Sequence, residues 1–179
     1  MFRTIFQYEL KYWLKQPSIY VYAFFLCLLP MLQMAEWAGV FSEVVNTAEV
    51  ERIANSPSGI LRAFNKFLIF ILFLLPTIFG RTLSRDFYQK THSLLYTFPI
   101  RKMDYLAAKF SLAFCLALLI TSFSGVGIIL GANFPGHDPN LTVAFNPLVY
   151  LQIYTVYLIP TILLFGSIVF AVVLLTRNI

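Results

Sequence analysis

The chain has 179 residues, of which 59% are hydrophobic and 12% charged, with a net charge of +5 and a mean hydropathy of +0.77. An ordinary soluble domain carries about 25% charged residues, so this sequence has too little polar surface to cover a water-soluble particle. A bilayer is the environment that fits, and the surplus of cations points to anionic lipid rather than nucleic acid, because few of them lie away from an apolar run.

The first sixteen residues read as an amphipathic helix lying along a membrane interface. Arg3, Gln7, Lys11 and Lys15 recur every four residues as a polar stripe, while Phe2, Ile5, Phe6 and Trp13 are free to dip toward acyl chains. Pro17 separates this helix from the next run. A cleavable leader does not fit, since the apolar run that follows is longer than a signal-peptide core.

A helix needs about 20 apolar residues to cross roughly 30 Å of hydrocarbon. Four spans are expected, over residues 19–40, 62–82, 106–132 and 148–176, which makes the fold an all-α, polytopic helical membrane protein occupying 1–179 as one transmembrane domain. The first carries Tyr20, Tyr22 and Trp37 at its ends, as interfacial belts do. Glu36 lies near one of those ends, which suits an interfacial carboxylate better than a proton relay. The second has a charge-free core of about 14 residues, only roughly 21 Å long, and must gain reach from the stems of Arg62, Lys66 and Arg81. The third contains Gly127 and Gly131 at a spacing that lets another helix approach closely. Pro30, Pro76 and Pro160 should bend or break their helices.

Orientation follows from the short loops, because cytoplasmic loops are enriched in Lys and Arg. Arg3, Lys11 and Lys15 precede the first span, and Arg81, Arg85, Lys90, Arg101, Lys102 and Lys109 lie between the second and third. Both segments, and the N-terminus with them, are expected to be cytoplasmic. The remaining loops hold Arg52, Arg62 and Lys66 among Glu43, Glu49, Glu51 and Asp138.

The segment from Arg81 to Lys109 is too long for a turn and too patterned for a slack linker. Phe87, Thr91, Leu94, Leu95 and Phe98 mark one face of a short helix that Pro99 stops. Such a helix either docks a soluble partner through apolar anchors or lies passively on headgroups. The residues alone leave both readings open.

The stretch "RDFYQKTHSLLYTFPIRKMDYL" and the opening "FQYELKYWLKQP" resemble type-2 ABC transporter permeases, with Glu9, Leu10 and Pro17 at the family's positions. More narrowly, "ANSP", "RDFYQKTHSLLYTFPIRKMDYL" and the terminal "LTRN" resemble Bacteroidota permeases, some of which are fused to a zinc aminopeptidase domain. Lys90 stands where that family usually has Gly before the Thr, and Ser93 where it usually has an acid.

The resemblance implies a coupling helix formed by Arg85, Asp86, Phe87, Thr91, Leu94, Leu95, Phe98 and Pro99, docking on an ABC ATP-binding subunit. It implies a second permease half, export, and a bacterial inner membrane location. It also implies six spans per unit, of which these would be the first four.

No chemistry-bearing motif competes with that reading. There is no G-x-x-x-x-G-K-[ST] for ATP and no H-E-x-x-H, and His92 and His137 fall in loops on opposite sides of the expected membrane. ATP hydrolysis is therefore expected on another chain, with no cofactor, metal or nucleic acid here. Cys27 and Cys115, each alone in an apolar run, read as small packing residues. A secondary transporter or channel component is the alternative, though no mid-depth charge accompanies its prolines; a non-transporting scaffold is a third possibility.

Overall fold

A computed structural model describes residues 2–41, 53–88 and 102–176, with backbone alone at 86–88 and 102. It is all-α, as expected: helices α1 (Phe2–Leu14), α2 (Pro17–Trp37), α3 (Pro57–Leu75), α4 (Arg81–Tyr88), α5 (Lys102–Ala132), α6 (Pro147–Ile153) and α7 (Ile159–Thr176). Two π-helical turns, Pro76–Gly80 and Tyr154–Leu158, join α3 to α4 and α6 to α7. Among the described residues, four helical stretches are long and apolar enough to cross a membrane: Pro17–Trp37, Pro57–Arg85, Met103–Ala132 and Pro147–Thr176.

Proline sets the helix starts. Pro17, Pro57 and Pro147 each occupy the first helical position, where the missing N–H has no partner to lose and φ is already helical. Ser56 Oγ accepts from Gly59 N at 3.0 Å, and Asn146 Oδ1 accepts from Leu148 N at 3.1 Å, so two of these starts are also capped. At Pro76 the chain is already helical, the regular ladder loses a donor, and the wider π turn absorbs the break. The second apolar stretch thereby gains length at both ends: it runs from Pro57 to Arg85, well beyond the short core legible in the sequence.

The chain divides into two units. The first comprises Met1–Ile19, Phe70–Leu119 and Ile159–Ile179. Leu75, Ile78, Phe79, Leu83, Leu112, Leu116 and Ile162 are buried in it. Phe110 meets Phe79 at 5.6 Å and Phe170 at 5.4 Å between ring centroids. Gly166 lies against the Phe79 ring, where a Cβ would fall 2.5 Å from Cζ. Aromatic edges filling space opened by glycine help to bring these helices together.

The second unit comprises Tyr20–Ile69 and Ile120–Leu158, and it combines small-residue packing with tyrosine hydrogen bonds. Ala54 N donates to Leu141 O at 2.7 Å and Val143 N to Ala54 O at 3.0 Å, forming an isolated parallel bridge that is the one β-type pairing among the described residues. Asn55, in the left-handed region at φ 63°, donates from Nδ2 to Val143 O at 3.0 Å. It accepts the Tyr150 hydroxyl at 2.5 Å. Asn adopts this backbone region more readily than most residues because its short side chain bonds locally.

Outward faces of the long helices are apolar, with Phe24, Phe25, Leu164 and Ile168 all exposed. Cys115 is likewise exposed and Cys27 half-buried. On helices of this length such surfaces suit hydrocarbon, which satisfies no polar group and penalises none of these.

Candidate functional site

Helix α1 turns Arg3, Gln7 and Lys11 outward, as their four-residue spacing requires, but its opposite face is not merely greasy. Glu9 and Trp13, one turn apart, are buried in the first unit. Trp13, expected to dip into lipid, instead packs inside the protein, with the Arg81 guanidinium 5.9 Å from its ring.

One oxygen of Glu9 gathers two cations. Glu9 Oε1 accepts from Arg85 Nη2 at 2.6 Å and from Lys109 Nζ at 3.0 Å. Arg85 is in the last turn of α4, and Lys109 is two turns into α5. The Lys109 side chain is 1% exposed. Its ammonium also donates to Thr82 O at 2.8 Å, while Thr82 Oγ1 donates back to Ile78 O at 2.6 Å. The Arg85 guanidinium stacks over Tyr12 at 4.0 Å, adding cation–π attraction to the ion pair.

A buried ammonium with no partner is among the most costly groups a protein can hold, and carbonyl and carboxylate oxygens aimed at it offset that cost. Lys109 thus reads differently in the structure than in the sequence. It is no loop cation but the anchor of α5, and the folded α1 brings it a counter-charge in Glu9. The polar stripe hid Glu9, although a signal was there. It is the one acid in the first sixteen residues, and it lies on the side of the helix away from Lys11.

Geometrically, Arg85 ends the segment before the long loop and Lys109 follows it, so a single carboxylate fastens both flanks of that loop to α1. Of the expected coupling residues, Arg85 enters this clasp. Asp86 and Phe87 lie in the backbone of the last turn of α4. Thr91, Leu94, Leu95, Phe98 and Pro99 lie outside the described residues, as does His92. Gly127 and Gly131 lie elsewhere, in the second unit, each directly against a backbone carbonyl of α2: Gly127 against Cys27 O and Gly131 against Met31 O. A Cβ at either position would collide with those oxygens.

No group of three or more His, Cys, Asp or Glu side chains among the described residues is arranged to hold a metal ion. The clasp joins α1, α4 and α5 through charged side chains. A family model described as an ABC-2 family transporter protein matches residues 5–179. No curated protein and no solved structure matches the chain.

Proposed function

The chain belongs to the ABC-2 transporter family and is a membrane permease component of an ABC transporter; from that premise we propose that it couples ATP hydrolysis on a separate ATP-binding subunit to export of a substrate. The subunit docks on the segment from Arg85 to Pro99, with Phe87, Leu94, Leu95 and Phe98 as apolar anchors and Asp86 at the rim, while Arg85 holds the segment to Glu9. The N-terminus and this loop face the cytoplasm of a bacterial cell, and two permease halves pair to enclose the path.

The observation that carries this reading is the double ion pair on Glu9 Oε1. A coupling element must not yield under load at its own attachments. Here both flanks of the loop, together with Thr82 O, are tied within the same buried cluster. When nucleotide closes the motor subunits, the push on the loop reaches α4 through Arg85, α5 through Lys109 and α1 through Glu9. The spans that follow those helices then rearrange together rather than one at a time.

Co-purification tests the reading. An ATP-binding subunit co-expressed with the intact chain is expected to be retained, and to be lost on Leu94→Asp with Leu95→Asp while the permease remains folded. Retention after those changes, with ATPase stimulation unchanged, rules out the docking face.

A further inference from the structure

A second polar cluster lies on α3, in the unit that does not contain the clasp. Arg62, Asn65 and Lys66 are spaced i, i+3, i+4 and so share one face. All three are exposed, while Ala63, Phe64 and Phe67 on the other side are buried. The Tyr157 hydroxyl donates to Asn65 Oδ1. That bond occupies the acceptor of the amide and leaves its Nδ2 hydrogens free for another group. What the cluster presents is therefore donors alone: a guanidinium, an ammonium and an amide N–H. Among the described residues none of these three groups has an anionic or carbonyl partner.

Depth gives the cluster its meaning. Arg62 stands near the start of α3, at one end of an apolar helical stretch long enough to cross the hydrocarbon layer, and marks that boundary of it. Lys66 then lies about one turn, or 6 Å, inside the boundary that Arg62 marks. A lysine at that depth extends its stem back toward the headgroups and sets its ammonium just beneath Arg62, where an anion can meet both charges. Directly beyond Lys66 on the same face, Ile69 is exposed and apolar. Cations at the boundary followed by bare hydrocarbon match the profile of an anionic headgroup with its acyl chain.

We infer that Arg62, Asn65 and Lys66 form a binding site for the anionic headgroup of a membrane phospholipid. Its phosphate oxygens accept from the Arg62 fork, the Lys66 ammonium and the Asn65 amide, and its first methylenes run along Ile69. Arg62 offers two parallel donors to one phosphate, and Lys66 offers a point charge below it. Tyr157 acts as a positioning residue, because it turns the amide of Asn65 so that the donor end faces out.

Native mass spectrometry of the detergent-purified chain, with phosphatidylglycerol titrated against phosphatidylcholine of the same acyl length, tests the site. The unaltered protein is expected to retain phosphatidylglycerol at least several-fold over phosphatidylcholine. Arg62→Gln with Lys66→Gln should abolish that preference, whereas Lys11→Gln with Lys15→Gln, which removes two other exposed cations, should preserve it. Tyr157→Phe should give a partial loss.

Equal preference in the Arg62/Lys66 variant and the unaltered protein, both monodisperse, overturns the site. Complete displacement of phosphatidylglycerol by millimolar inorganic phosphate would assign the cluster to a soluble anion and overturn the lipid. The assay requires no ATP-binding subunit, so its outcome is independent of the coupling reading.

Discussion

Glu9 Oε1 lies 3.0 Å from Lys109 Nζ and 2.6 Å from Arg85 Nη2. Three charges share one acceptor, and the balance among them predicts unequal costs. Glu9→Gln removes the carboxylate charge that both cations share, one of them buried, and should destabilise the protein by about 3–5 kcal/mol. Lys109→Met removes the buried ammonium and leaves Glu9 still paired with Arg85, so its cost should be smaller. Combining the two should cost less than the sum, because the two changes act on the same ion pair. Thermal unfolding in detergent of the two single variants and the double variant measures the cycle.

At the glycine contacts the prediction separates space from backbone. Gly127 and Gly131 have ordinary helical backbone but no room, since a Cβ would meet the Cys27 and Met31 carbonyls. Gly136 has open space within 4 Å but a φ of +93°. Gly127→Ala must therefore push two helices apart, at about 1–3 kcal/mol. Gly136→Ala strains one turn, at roughly 1 kcal/mol. Midpoints of thermal unfolding should fall in that order, and a larger loss at Gly136 would contradict the close packing.

Two tyrosines a turn apart on one stretch give a second contrast. The Tyr154 hydroxyl sits in the ladder of α5, accepting from Gly125 N at 3.1 Å and donating toward Ser122 O at 3.1 Å. Without it, Gly125 N–H can return to the Thr121 carbonyl, as in any regular helix. Tyr154→Phe should therefore cost only about 0.6 kcal/mol, the usual yield of an interhelical hydrogen bond in a membrane. Tyr150→Phe leaves Asn55 Oδ1 buried with no substitute donor, which costs about 1–3 kcal/mol. The larger drop in unfolding midpoint should belong to Tyr150.

These contrasts also explain how far the sequence could be read. Composition and run length were enough for the all-α membrane fold and its four apolar stretches, because hydrocarbon imposes the same rule on every residue of a span. The stripe of Arg3, Gln7 and Lys11 likewise predicted which side of α1 faces out. The partner of Lys109 was not legible. A cation at the edge of an apolar run looks the same whether it faces headgroups or a carboxylate far away in the chain, and only the folded packing of α1 decides it. The length of the second stretch was hidden for a related reason. Arg81 and Arg85 look like an end to a span, yet the π turn at Pro76 carries the helix past them, and Trp13, Tyr12 and Glu9 receive the two guanidiniums.

Sidedness gives the last prediction, on which the docking of a soluble motor depends. Cations crowd the segment between the second and third spans, and loops of that kind are held on the cytoplasmic side. His137, in the turn after α5, is exposed, with its ring held near Phe134 O at 3.1 Å, and it should face the opposite compartment. With Cys27 and Cys115 replaced by alanine, a cysteine introduced by His137→Cys should react with a membrane-impermeant maleimide on intact cells, and one introduced by Ser93→Cys should react only after the cells are opened. Labelling of the Ser93 variant from outside would put the loop beyond the reach of any cytoplasmic ATPase. The clasp on Glu9 would then still stabilise α1, α4 and α5, but it could not serve as the seat of a coupling helix.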